Sequence, residues 1–300
     1  MNRVDQRPFA AFLVALGAVA VLSVMDAVMK QLVIALGIVA VSAWRSIANF
    51  GISGALYLPR RKRWPTRGVL KVHLGRALVV TVMAALFFWG IARVPLAQGI
   101  ALTFIAPLIA LLLASLFLDE AIGSRSIIGS TVAFAGVIVI VLGQAQAALG
   151  SDAVRGTVAI IGSALCYAVN IVLMRHQARA ADPFEINFFQ SLTVMLIWAG
   201  MALFFGAPEW PQHNWGWIGV AALLSTLGTL LFGWAYARGE ASYLSVTEYS
   251  AFLWGAALGW MVFHEPLSLL TAMGAAMIVA GCLVAARRKI AAPPEIDFVA

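Results

Sequence analysis

The chain has 300 residues, of which 62% are hydrophobic and 11% charged, with a mean hydropathy of +0.94. One soluble core cannot hide that much apolar surface, so the composition excludes an ordinary soluble domain and calls for a bilayer as solvent. The formal net charge is +7, but the cations stand between apolar runs and not on one basic helix with interleaved aromatics. That excludes a nucleic-acid surface and makes the basic balance a matter of membrane topology.

At about twenty apolar residues per crossing, the sequence predicts ten helices and an all-α polytopic membrane protein. The first five are Phe9–Lys30, Val39–Leu58, Val69–Ile91, Leu96–Leu116 and Ser126–Val141. The next five are Gly156–Met174, Phe184–Phe205, Trp215–Ala237, Ala241–Phe263 and Leu269–Ala286. The first run lacks a small-residue cleavage site and continues into Asp26, so it reads as a retained helix. Cys166 and Cys282 both fall in apolar segments, where cysteine behaves as a small hydrophobe. Nothing in the sequence calls for a disulfide, a metal or a cofactor.

The second half of the chain repeats the first at a fixed offset of 145 residues. Gly17 becomes Gly162, Met29 becomes Met174, Trp89 becomes Trp234, Arg93 becomes Arg238 and Glu120 becomes Glu265, with no gap. The expected organisation is a first repeat at 9–142, a linker at 143–155, a second repeat at 156–286 and a tail at 287–300. An odd number of crossings per copy places the second copy upside down relative to the first. Two inverted five-helix repeats can exchange conformations and so open to either side in turn. With the amino terminus cytoplasmic, inside segments hold sixteen Lys and Arg residues and outside loops hold Lys30, Arg93 and Arg155. This predicts cytoplasmic termini.

Small residues let helices approach where lipid gives no hydrophobic drive for association. Gly255 and Gly259 have Ala110 and Ala114 as counterparts, and Gly129 with Gly136 maps onto Gly274 with Gly281. Static packing and sliding faces are both open to these positions, with Pro107 as a kink in the fourth helix. Trp89 and Trp234, being equivalent, read as structural or gate-like.

Polar residues at membrane depth are the functional candidates, because an unpaired charge there costs several kcal/mol. Arg45, beside Trp44, either faces an anionic group such as a substrate carboxylate, or snorkels, or pairs with Asp26. Asp26 and Lys30 stand four apart in the favourable order for a helical ion pair; a protonatable coupling site is the alternative, and Glu248 carries the same ambiguity. Tyr167 and Asn170 share a face of the sixth helix, while Tyr243, Thr247, Ser250 and Trp254 share one on the ninth. These stripes either line a cavity or pack. Their partners in the first copy, among them Gln98, are less polar and aromatic, so the second copy is expected to hold the substrate. Glu120 and Glu265 are expected to cap the helix that follows each of them.

Enzyme readings fail on spacing. Gly51-Ile52-Ser53-Gly54 has no histidine at membrane depth to take the serine proton. His264-Glu265 lacks a second histidine four residues on, and no phosphate-binding GxxxxGK[ST] run occurs.

The repeat, the Arg93-Val94-Pro95-Leu96-Ala97 turn, Pro107, the helix-ending Glu120 and Glu265 and the glycine-rich fifth and tenth helices together resemble the drug/metabolite transporter superfamily, EamA type. More loosely they resemble its YddG-like amino acid exporters. The resemblance implies a ten-helix transporter of the bacterial inner membrane with a central cavity, exporting amino acids, of broad or aromatic and apolar specificity, or similar small metabolites. Leu22-Ser23-Val24-Met25-Asp26 departs from the Trp-Gly-Ser-like run that opens many members. The alternatives are a different solute, such as a nucleotide-related metabolite or a cationic drug, or a non-transporting membrane scaffold. The partners expected are a small amino acid-like molecule and lipid, and both monomer and homodimer remain open.

Overall fold

The structure, a computed structural model, describes residues 8–61, 64–106, 108–109, 124–146, 150–177, 181–236, 238 and 247–286. Pro107, Glu120 and Tyr243 lie outside them, as do Ala110, Ala114, the tail and part of the linker. The described residues are helical and contain no strand.

Pro8–Tyr57 runs as one helical stretch of 50 residues broken only at Gly37, whose φ of 77° and ψ of 159° suit a residue without a side chain. At 1.5 Å per residue the stretch is about 75 Å long, more than twice a hydrocarbon core of about 30 Å. It is therefore two helices, α1 (8–36) and α2 (38–57). No polar loop separates them, and a single glycine makes the turn. The remaining helices are α3 (Arg67–Ile91), α4 (Leu96–Thr103), α5 (Ser124–Gln146), α6 (Gly150–Gln177), α7 (Pro183–Phe205), α8 (Trp215–Tyr236), α9 (Ser250–Phe263) and α10 (Leu269–Ala286). Five helical stretches, the first being Phe9–Tyr57, are long and apolar enough to cross a membrane, and α5, α9 and α10 contribute shorter apolar runs.

Two predicted helices are interrupted among the described residues. The fourth stops at Thr103 and turns at Phe104 and Ile105 before helix resumes at Ala106. A proline at 107 has no N–H for the Thr103 carbonyl, which favours a break at this point. The ninth turns at Tyr249, after helical Thr247 and Glu248 and before α9. Phe104 and Tyr249 are equivalent at the 145-residue offset. Their rings meet edge to face, with centroids 5.4 Å apart and planes at 87°.

The helices α5 and α10 show how equivalent segments pack. A methyl group added at Gly136 would lie 2.6 Å from the Gly274 carbonyl oxygen, and one added at Gly281 would meet the Gly129 carbonyl and lie 2.7 Å from the Ala133 nitrogen. Only glycine permits such approach. Gly136 faces Gly274 while Gly129 faces Gly281, so residue numbers rise on one helix as they fall on the other. These two equivalent helices thus run antiparallel to each other. A methyl group added at Gly255 of α9 would lie 2.5 Å from the Ile100 Cδ1 and 3.5 Å from the Ala97 Cα, both on α4.

The core joins Met29, Leu32, Ile91, Leu96, Leu102, Ile160 and Ile278, all fully buried. Leu203, Phe204 and Trp260 are by contrast 87%, 85% and 68% exposed. An apolar outer surface of that kind is suited to lipid.

Candidate functional site

A polar cavity of about 150 Å³ opens between α2, α3, α7 and α8. From α2 it takes Ser42, Arg45, Ser46 and Asn49; from α3, Val80, Thr81, Ala84, Ala85 and Phe88; from α7, Asn187, Gln190, Ser191, Val194 and Trp198; and from α8, Ser225 and Thr229. Most of these residues come in equivalent pairs, each 145 residues apart: Ser42 with Asn187, Arg45 with Gln190, Ser46 with Ser191, Asn49 with Val194, Val80 with Ser225 and Ala84 with Thr229. The cavity is symmetric in position and asymmetric in chemistry.

Arg45 carries the only formal charge in this lining. Its guanidinium lies 5.3 Å from the centre of the Phe88 ring. Its Nε and the Asn49 Oδ1 are both buried without a hydrogen-bond partner. Beside Arg45, the Trp44 ring packs edge to face on Trp210 and Trp215, at 5.1 and 5.0 Å between centroids. The Trp44 Nε1–H donates to the Glu209 carbonyl at 2.9 Å.

At the carboxyl end of α3, Glu265 joins the two halves of the chain. Its Oε1 pairs with Lys30, whose Nζ also donates to the Val94 carbonyl at 2.8 Å. Its Oε2 accepts from the Leu96 N–H at 2.8 Å. Pro95, the residue before α4, offers no side-chain cap, so the carboxylate satisfies a free N–H at the positive end of that helix. His264, left-handed with φ 55° and ψ 32°, ends α9. The next N–H, that of Glu265, returns to the Gly259 carbonyl at 3.0 Å and so aims the acid. Two expectations are corrected here. Glu265 caps α4 and not α10, whose first turn is served by the Ser268 hydroxyl accepting from the Thr271 N–H at 3.1 Å. Lys30 pairs with Glu265 and not with Asp26, which instead feels the charge of Arg45 without forming an ion pair.

At the opposite, amino end of α3, a second network also joins the halves. The Arg76 Nε–H donates to Asn170 Oδ1 at 2.8 Å and its NH1 to Gln177 Oε1 at 2.7 Å. With that oxygen committed, Gln177 presents its amide nitrogen to His73 Nδ1. Nδ1 therefore accepts, and Nε2–H is left to donate to Glu185 Oε1 at 3.2 Å. The Tyr57 hydroxyl donates to Glu185 Oε2 at 3.4 Å. Glu185 stands in the first turn of α7, where Asp182 accepts from the Phe184 and Glu185 N–H groups at 2.9 and 3.0 Å. The His73 ring stacks on Phe189 at 5.1 Å.

The residues singled out in the sequence are thus dispersed. Arg45 lines the cavity and Trp44 sits beside it, while Asn170 belongs to the Arg76 network. Gln98 is buried in α4, its amide nitrogen unmatched. Tyr167 and Glu248 are within electrostatic reach of each other. The Ser250 hydroxyl donates to the carbonyl of buried Thr247 at 2.6 Å. Trp254 is 41% exposed and is not among the residues around the cavity. Trp89 and Trp234 have matching settings, Arg93 lying 3.6 Å over the first ring and Arg238 4.4 Å over the second. Sequence reasoning missed Ser42, Ser46, Asn49, Asn187, Gln190, His73, Arg76, Gln177 and Glu185. For the cavity residues a signal was present, since Ser42/Asn187, Arg45/Gln190 and Ser46/Ser191 are polar in both copies.

Comparison with known proteins gives a consistent result. Residues 9–142 and 154–287 each match the EamA-like transporter family. The pseudopaline exporters CntI of two Pseudomonas aeruginosa strains, UCBPP-PA14 and PAO1, are 25% identical over 221 residues, covering 71% of this chain and 75% of theirs. A protein of known crystal structure superposes with a TM-score of 0.60 at 20% identity, over 93% of this chain and 99% of its own, and so shares the fold. The chain belongs to the EamA-like transporter family, within the drug/metabolite transporter superfamily, and is a multi-pass membrane transporter and not an enzyme.

Proposed function

We propose that this protein exports amino acids or similar small metabolites across the bacterial inner membrane by alternating access. The observation that carries the reading is the cavity lined by equivalent residues of both halves, since a solute bound on the dyad can be presented to either side. In this reading ten crossings form two inverted repeats, at 9–142 and 156–286, with 143–155 as linker, a tail at 287–300 and both termini cytoplasmic. The antiparallel packing of α5 on α10 and the matching turns at Phe104 and Tyr249 support the inversion. The relatives named as exporters favour outward transport.

The reading is tested with purified protein in liposomes preloaded with a mixture of labelled amino acids. Selective efflux above that of protein-free vesicles is expected, and imposed pH gradients would separate facilitated from proton-coupled movement. No efflux from folded protein would overturn the amino acid reading and direct the assay to other metabolites.

A further inference from the structure

We infer that the cavity is an amino acid site with a fixed orientation, in which Arg45 takes the carboxylate of the substrate and Asn49 its ammonium group. The inference rests on the transport reading above and names the substrate class for that cavity.

Charge supplies the first step. Arg45 is the only formal charge around the cavity, and no carboxylate forms an ion pair with it among the described residues. A guanidinium at membrane depth is costly, and the Phe88 ring together with the charge of Asp26, which reaches Arg45 without forming an ion pair, compensates only part of that. An anionic ligand completes it, and a cationic one is repelled.

The unmatched atoms supply the second. Arg45 Nε is a donor without an acceptor, and Asn49 Oδ1 is an acceptor without a donor. The two residues stand four apart on α2 and so lie one turn apart on the same face. A ligand that satisfies both needs an anionic acceptor and a donor within one helical turn of each other. An α-amino acid carries the two on one carbon. A simple carboxylate, which has no donor, would leave the Asn49 oxygen unmatched.

Symmetry supplies the third. Across the dyad, Gln190 stands where Arg45 does and Val194 where Asn49 does, so only the first half has the donor and acceptor pair. One amino acid is held one way round. Its side chain then meets Asn187, Gln190, Ser225 and Thr229, which favours a polar substituent over a large aromatic one.

The test starts from the amino acid that leaves preloaded liposomes fastest and compares it with its carboxamide and its N-acetyl derivative, each corrected for protein-free vesicles. Wild-type protein is expected to move both derivatives slower than the parent by about tenfold or more, the loss of one charge-assisted hydrogen bond. Arg45→Gln should abolish the discrimination against the carboxamide, and Asn49→Leu that against the N-acetyl derivative. The wild-type arm needs no variant to fold. Derivatives that leave as fast as the parent would overturn the inference and leave the transport reading standing. No amino acid efflux at all would overturn both.

Discussion

The two ends of α3 close the same boundary between halves with opposite chemistry. At the Ile91 end, a buried ammonium is paired with a carboxylate that also holds the first N–H of α4. At the Arg67 end, a buried guanidinium has neutral amide partners among the described residues, and the carboxylate of the network, Glu185, sits one link further out on His73. The difference teaches what each closure costs to open. Separating Lys30 from Glu265 strips a charge of its counter-charge and a helix of its cap. Opening the other end exchanges amide hydrogen bonds, which water can replace.

The largest effect should come from Glu265→Ala, which leaves Lys30 buried without a counter-charge. A loss of about 3–5 kcal/mol is expected in reversible unfolding of the purified protein in detergent. The double variant Lys30→Met with Glu265→Gln should recover most of it. Arg76→Met removes a buried cation and orphans no opposite charge, so it should cost about 1–3 kcal/mol. Equal losses at the two ends would remove the distinction. Gln177→Leu frees His73 Nδ1 and takes the acceptor from the Arg76 NH1, and should cost about 1–3 kcal/mol. Nitrogen NMR of labelled histidine should show Nε2–H in wild type and a mixture of tautomers in the variant. Trp44→Phe keeps the ring cluster but loses the bond to the Glu209 carbonyl; its cost should be about 0.5–1.5 kcal/mol by the same unfolding assay.

Much of the packing was legible in the sequence, because helix contacts in lipid depend on small residues that stand out. Gly129, Gly136, Gly274 and Gly281 were marked by the repeat, and the structure brings them face to face. Glu265 was legible as a capping acid but not as the cap of α4. Its target lies 169 residues away, and no local pattern encodes a contact made by a chain turning back at His264. Lys30 misled for the related reason that a partner four residues off is visible and one 235 residues off is not. The cavity was hidden by dilution, since single serines and amides in apolar helices carry little weight one at a time. The conspicuous stripe of Tyr167, Asn170, Thr247, Ser250 and Trp254 drew attention to the second copy, whereas the cavity charge is on the first.

On the alternating-access reading, the two closures must open in turn. The most direct test places one cysteine in the cavity, Ser46→Cys, in a chain with Cys166 and Cys282 replaced by alanine. Its labelling by a membrane-impermeant thiol reagent is then followed from each side of oriented vesicles. Glu265→Gln should raise labelling from the Ile91 side of α3 and lower it from the Arg67 side, and Glu185→Gln should do the reverse. Labelling that rises from both sides together, or from the same side in both variants, would contradict the account.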